Sequence, residues 1–260
     1  MTETVIEYER DGAVAVIKLN GPPANALTVD LVERLDVAIS RATDDGVAVV
    51  VVASAVPAFF AAGADIKLMQ SGNVKRFAGY LTRLRGVIER LHDAPFLSIA
   101  ACDGHTLGGG LELAMACTLR VAGVRARLGL PEARLGLLPG AGGTQRLPKL
   151  VGRTSALELI MSGRSVTAEV ALEIGLVDRA VEDALGDAEE WAHELAQGPA
   201  EAYKAIVRCI EASEAGGDGM AVEFDEVTRL FESADGQEGL AAFIEKRRPR
   251  FGAASKGTQT

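Results

Sequence analysis

The chain has 260 residues, with 27 Lys and Arg against 36 Asp and Glu, a formal net charge of −9. An acidic balance of that size argues against a general affinity for nucleic acid or an anionic membrane, since either partner needs spread positive charge. With 48% hydrophobic and 24% charged residues the composition suits a globular protein with a full core and excludes wholesale disorder.

Met1 to Gly12 carries Glu3, Glu7, Glu9 and Asp11 and no apolar segment, so no secretory signal is expected. Thr4–Tyr8 and Ala13–Leu19 predict a hairpin around an Asp11-Gly12 turn. Thr28 is a candidate N-cap for a helix running to about Thr43, with Leu31, Leu35, Ala38 and Ile39 on one face. Gly46 to Ala64 is uncharged and nominally long enough to span a bilayer. Pro57, Ser54 and the small residues after the valines instead point to a buried strand, Val47–Ala53, followed by a loop. Phe77, Tyr80, Leu81, Leu84, Val87, Ile88 and Leu91 repeat at helical spacing, ahead of a strand at Phe96–Ala101.

A Gly-rich turn at 108–110 opens a short helix to Cys117, and Leu119–Ala122 and Arg127–Leu130 have strand patterns. Beyond Gly143 the pattern is mostly helical, at 144–151, 154–162, 167–174, 184–196, 199–213, 218–233 and 236–247, with one short strand near Leu176–Ala180. Strands alternating with helices, then a helical tail, predict an α/β core over 1–195 and a helical subdomain over 196–260.

Cys102, Cys117 and Cys209 have neither CxxC nor zinc-type spacing, so no disulfide framework and no metal site is expected, which fits a reducing cytoplasm. His92, His105 and His193 are scattered and no GxSxG exists, which argues against Ser-His-Asp catalysis.

Three segments carry the chemistry. Phe60-Ala61-Ala62-Gly63-Ala64-Asp65-Ile66-Lys67 crowds small residues after a buried strand, which lets a ligand approach the main chain. Gly104-His105-Thr106-Leu107-Gly108-Gly109-Gly110-Leu111-Glu112 places unhindered N–H groups and the positive end of a helix dipole at a helix mouth, suited to an anion or a developing oxyanion. It has neither the Lys-Ser/Thr of a P-loop nor the GxGxxG of a dinucleotide site. Glu112, in the first turn, suits a base or a water-orienting role. The third segment runs from Gly129-Leu130-Pro131-Glu132 to Pro139-Gly140-Ala141-Gly142-Gly143-Thr144-Gln145-Arg146. Glu132 is expected at the end of an apolar strand, where burial would raise its pKa and let it carry a proton at neutral pH.

Taken together, in this order and with both glutamates present, Asn25-Ala26-Leu27, these three segments and Ala242-Phe243-Ile244-Glu245-Lys246-Arg247 resemble the enoyl-CoA hydratase/isomerase, or crotonase, superfamily over nearly the whole chain. The resemblance implies an α/β fold, a spiral of ββα units with a C-terminal helical oligomerisation subdomain assembling as a homotrimer or homohexamer. It implies an acyl-CoA substrate, with coenzyme A part of the substrate and no separate cofactor or metal. The backbone N–H groups of Ala64 and Gly109 would form the oxyanion hole. Glu112 would activate water for attack on C3 of a 2-enoyl thioester, Glu132 would protonate C2, and Gly140 would direct its N–H toward that water. Coenzyme A would be held by Ala62, Ala64, Asp65, Ile66, Lys67 and Gly108, with Phe243 and Lys246 from the C-terminal part.

One departure from the family pattern is the loop Asn20-Gly21-Pro22-Pro23-Ala24, which lacks the basic residue many relatives have there. That throws weight on Lys67 and on Lys246, Arg247, Arg248 and Arg250, in a stretch, 245–256, of local charge +4. A 3-enoyl to 2-enoyl isomerase would use the same hole with one carboxylate and stays open. A non-catalytic scaffold is disfavoured by the charge and the intact carboxylate pair.

Overall fold

The computed structural model describes residues 4–65, 68, 70, 73–214 and 216–252. Gly12, at φ +59°, turns the chain so that β1 (Val5–Asp11) and β2 (Val14–Asn20) pair antiparallel, and β1 runs on past the predicted Tyr8. After β3 (Ala26–Leu27), Thr28 caps α1 (Val29–Asp44) as expected, its Oγ1 accepting the Leu31 N–H at 3.2 Å. Leu31, Leu35, Ala38 and Ile39 lie on its buried face.

From there the chain repeats one motif. β4 (Val49–Ser54) joins the main sheet beside β2 in parallel, β5 (Phe59–Ala61) crosses into a second sheet, β6 (Gly63–Ala64) pairs with β3, and α2 (Val74–His92) returns. The next turn is β7 (Leu97–Cys102), β8 (His105–Leu107) and α3 (Gly109–Ala116). The third is β9 (Leu119–Gly123), β10 (Arg127–Gly129), a 3-10 turn (Pro131–Leu135) and α4 (Gly143–Ser162). β11 (Ser165–Thr167), α5 (Ala168–Glu173), β12 (Arg179–Val181) and α6 (Ala184–Ala196) follow.

The main sheet has the order β1-β2-β4-β7-β9-β12 and the second β11-β10-β8-β5. This is the predicted ββα spiral. β4 opens on four valines and β7 is buried along its whole length, Ser98 included, because both faces of the sheet are covered there, and every residue of α3 is buried.

Three details differ from expectation. Glu132 is not on a strand: Pro131, with no N–H for a ladder, ends β10 and starts the 3-10 turn that closes at Gly136, φ +72°. The helices expected at 144–151 and 154–162 form one element broken at Gly152 (φ 75°, ψ 161°). The two- and three-residue strands β3, β5, β6, β8 and β11 were invisible to periodicity, which such short pieces cannot display.

The chain divides into two compact units, Met1–Ala192 and His193–Thr260. The second holds α7 (Ala200–Glu214), α8 (Gly219–Phe231) and α9 (Ala234–Glu245). Glu226 of α8 accepts Arg208 Nε of α7 at 2.7 Å. Among the described residues no helix is long and apolar enough to cross a membrane.

Candidate active site

The site grows from the mouth of α3. Gly108 links β8 to the helix at φ +53°, ψ −128°, a region closed to side-chain-bearing residues. Its N–H donates to the Gly129 carbonyl at 2.9 Å and its carbonyl accepts the Glu112 N–H at 3.0 Å. A Cβ on Gly108 would stand 2.7 Å from Glu132 Oε1, so the missing side chain is the space the Glu132 carboxyl occupies. Gly109 opens the helix, and its N–H is one of those with no intrahelical acceptor. A Cβ on Gly63 would lie 3.4 Å from the Gly109 nitrogen, and one on Gly109 3.6 Å from the Ala64 nitrogen. The spiral therefore brings the backbone nitrogens of Ala64 and Gly109 to one place, beside Glu132.

Glu112, one helical turn into α3, is only 3% exposed. Its Oε1 accepts two backbone N–H bonds, from Ala141 at 2.7 Å and Gly143 at 2.8 Å. Gly143 must be glycine because a Cβ there would press on Pro139 at 2.6 Å and on that same oxygen at 3.1 Å. Burial pushes the Glu112 carboxyl above the usual carboxylate range, opposed by the two N–H donors and by the charges of Arg146 and Arg85. Glu132 differs. Burial pushes its pKa up to about 7, the Glu112 charge adds to the rise, and its Oε2 is buried without a hydrogen-bond partner. The two carboxylates thus differ in kind: one gripped by donors, the other poised to hold a proton near neutrality.

Two further residues build the frame, and the sequence did not single either out. Asn25 is fully buried at φ +50°. Its Nδ2 donates to the Leu19 carbonyl (3.2 Å), Ser54 Oγ (2.7 Å) and the Phe60 carbonyl (2.9 Å), while Oδ1 accepts the Gly21 N–H (2.7 Å). Tyr80 of α2 donates its hydroxyl to the Leu27 carbonyl at 2.7 Å and has the Asp65 backbone as a second partner. It ties the two strands together at the C-terminal end of the β3–β6 pairing that carries Ala64. In sequence Tyr80 is one more member of an apolar stripe, whereas Asn25 stood inside the quoted Asn25-Ala26-Leu27 without an assigned role.

The remaining expected residues are distributed as follows. The Ala62 N–H donates to the Ala24 carbonyl at 3.0 Å. Asp65 Oδ1 accepts the Leu68 N–H at 3.3 Å. Ile66 and Lys67 lie outside the described residues. Gly140 packs on Leu81, while the N–H groups that reach Glu112 belong to its neighbours Ala141 and Gly143. Phe243 is 85% exposed and Lys246 caps α9 at φ +55°, both in the second unit. Arg247 is forked onto Glu238 at 2.6 and 2.8 Å, which makes it less available to a ligand phosphate than its neighbours' positions in sequence imply. The buried Cys102 and Cys117 thiols are both pushed up to about 12, so neither is a nucleophile at neutral pH.

A spiral of ββα turns carrying two carboxylates at a glycine-built helix mouth is the crotonase class of fold. The chain is similar to the crystal structure of an enoyl-CoA hydratase from Geobacillus kaustophilus, with a TM-score of 0.90 and 34% identity over 97% of this chain and 98% of that one. It is 38% identical to a probable enoyl-CoA hydratase of Bacillus subtilis, over 93% of this chain and 96% of the relative. A probable enoyl-CoA hydratase of Rhizobium meliloti is 39% identical, over 96% and 99%. The enoyl-CoA hydratase/isomerase family model matches residues 9–254. The chain belongs to the enoyl-CoA hydratase/isomerase family.

Proposed function

We propose that this protein is an enoyl-CoA hydratase, adding water across the 2,3 double bond of a 2-enoyl-CoA to give a 3-hydroxyacyl-CoA. The observation that carries the reading is the pair of unlike carboxylates, Glu112 on two backbone donors and Glu132 with an unpartnered buried oxygen and a pKa of about 7, set against the Ala64 and Gly109 nitrogens.

The thioester oxygen accepts from Ala64 and Gly109, which makes C3 electrophilic and stabilises the enolate; one such donor lowers the barrier by about 2.7–4 kcal/mol. Glu112 orients water, with the Gly140 N–H on the same water, and takes its proton as the hydroxyl bonds to C3. Glu132 delivers a proton to C2, and the proton on Glu112 restores the pair. Coenzyme A enters as part of the substrate, held by the main chain at Ala62, Ala64, Asp65, Ile66 and Gly108 and by Lys67, Phe243 and Lys246. The chemistry uses no further cofactor and no metal.

The core over 1–195 carries the site and the helical part over 196–260 makes the assembly, a homotrimer or homohexamer. Ile206, Ile210, Met220, Phe224, Val227 and Phe231 are all more than half exposed in the single chain, an apolar surface of the kind oligomers bury. A cytoplasmic location, with neither nucleic acid nor membrane as partner, completes the reading.

The test is incubation with crotonyl-CoA, following loss of the conjugated thioester absorbance. No loss with correctly folded protein refutes hydration. Conversion of a 3-enoyl-CoA that survives Glu112→Gln favours the isomerase, which needs only Glu132. A monomer by sedimentation at micromolar concentration refutes the assembly.

A further inference from the structure

We propose that Arg146 is a positioning residue for Glu112, clamping from behind the peptide turn whose N–H groups grip the carboxylate. The proposal rests on the hydratase reading for its kinetic arm. Arg146, in the first turn of α4, has a side chain only 13% exposed. Its Nη2 donates to Glu89 Oε2 of α2 at 2.8 Å and its Nη1 lies 3.4 Å from the Ala141 carbonyl. Ala141 is thereby held on both sides, its carbonyl toward the guanidinium and its N–H on Glu112 Oε1 at 2.7 Å.

The turn is shaped for this. Gly142, at φ +115°, has the guanidinium where a side chain would stand, and its carbonyl accepts the Arg146 N–H at 2.8 Å. Glu89 anchors the far end to the helix that also supplies Tyr80, and Leu81 against Gly140. An exposed Arg–Glu pair contributes little, but this arginine is largely buried, and its loss would leave a carboxylate on α2 and a carbonyl in the turn without their donor. The charged and titratable groups facing Glu112 are Arg146 from α4, Arg85 and Tyr80 from α2, and Glu132 from the 3-10 turn. Arg146 also hydrogen-bonds the turn that orients the carboxylate, so it holds the direction of Glu112 and adds its charge to the two N–H donors that oppose the rise burial imposes.

The experiment uses Arg146→Gln, Arg146→Lys and Glu89→Gln in the full chain. Crotonyl-CoA hydration is followed across pH, and the Glu112 carboxyl is titrated by infrared difference spectroscopy, assigned by subtracting Glu112→Gln. Arg146→Gln is expected to lower kcat by about 10- to 100-fold, the effect of a small misplacement of a catalytic group, with KM within about twofold. The acid limb of the pH profile and the infrared titration of Glu112 both move to higher pH. Arg146→Lys restores part of kcat, and Glu89→Gln moves both readouts the same way by less. A folded Arg146→Gln protein with wild-type kcat and an unmoved acid limb overturns the proposal. If the wild type does not hydrate crotonyl-CoA, the hydratase reading fails by itself, and an unmoved infrared titration in Arg146→Gln still overturns this one. Should Arg146→Gln not fold, Glu89→Gln decides, and wild-type behaviour in both readouts overturns the clamp.

Discussion

Replacing Gly108 with alanine perturbs the site by one methyl group at the point where the helix mouth meets Glu132. At φ +53°, ψ −128° the backbone is strained for any residue with a Cβ, which costs about 1–3 kcal/mol of stability. For a chain of this size each kcal/mol shifts Tm by about 2–4 °C, so the variant should melt roughly 2–12 °C lower. The new Cβ would lie 2.7 Å from Glu132 Oε1. Ordinary carbon–oxygen contact begins near 3.4 Å, so the carboxyl retreats by about 0.7 Å, the soft side chain giving way before the backbone. A displacement approaching 1 Å in a catalytic group lowers the rate by about 10- to 100-fold. The assay is crotonyl-CoA hydration by the Gly108→Ala protein beside its thermal melt, with kcat and KM separated. A folded variant with lowered Tm but kcat within about twofold of wild type would refute the inference that Gly108 exists to seat Glu132.

Further outcomes follow from the same geometry. Glu112→Gln and Glu132→Gln should each lose most hydratase activity while still binding a CoA ester, measured by turnover beside calorimetric titration; full activity in either sinks the two-carboxylate mechanism. Activity should fall on the acid side as Glu112 takes up its proton and on the alkaline side above about pH 7 as Glu132 loses its own, a bell-shaped profile whose alkaline limb disappears from the residual rate of Glu132→Gln. Stability carries the same signature. From an ordinary value of 4.5 to about 7 the folded protein keeps a Glu132 proton that the unfolded chain has released, so this stabilisation is full below about pH 4.5 and lost as pH rises toward 7. The Tm advantage of Glu132→Gln over wild type should therefore grow across that window, and a constant difference would contradict the buried, protonated carboxyl. Asn25→Ala strips donors from the Leu19 and Phe60 carbonyls and the acceptor of the Gly21 N–H, and should destabilise by about 3 kcal/mol, seen as a lower urea midpoint at unchanged m.

By itself the sequence determined the elements whose signal is local. Thr28 caps α1 because its side chain reaches an N–H three residues on, and the α2 stripe from Tyr80 to Leu91 appears at helical period because one face is buried along its length. The runs in β4 and β7 announce a sheet covered on both sides, and the glycines at 108–110 announce a helix mouth approached closely. Two glutamates could be picked out, but only the motif order around them raised either above a surface acid. Tertiary structure alone decided the rest, because it depends on groups distant in the chain. β5, β6 and β8 exist only as partners of other strands, too short to show a period. Glu132 sits on a 3-10 turn, and its proton affinity comes from burial and from Glu112 rather than from its neighbours in sequence. Tyr80 looks like core until its hydroxyl is seen on the Leu27 carbonyl, 53 residues away, and Arg146 like a helix-surface cation until it meets Glu89, 57 residues away. Local pattern encodes which backbone a segment prefers. A catalytic site is set by the field and the donors that converge on one atom, and those are assembled only when the spiral closes.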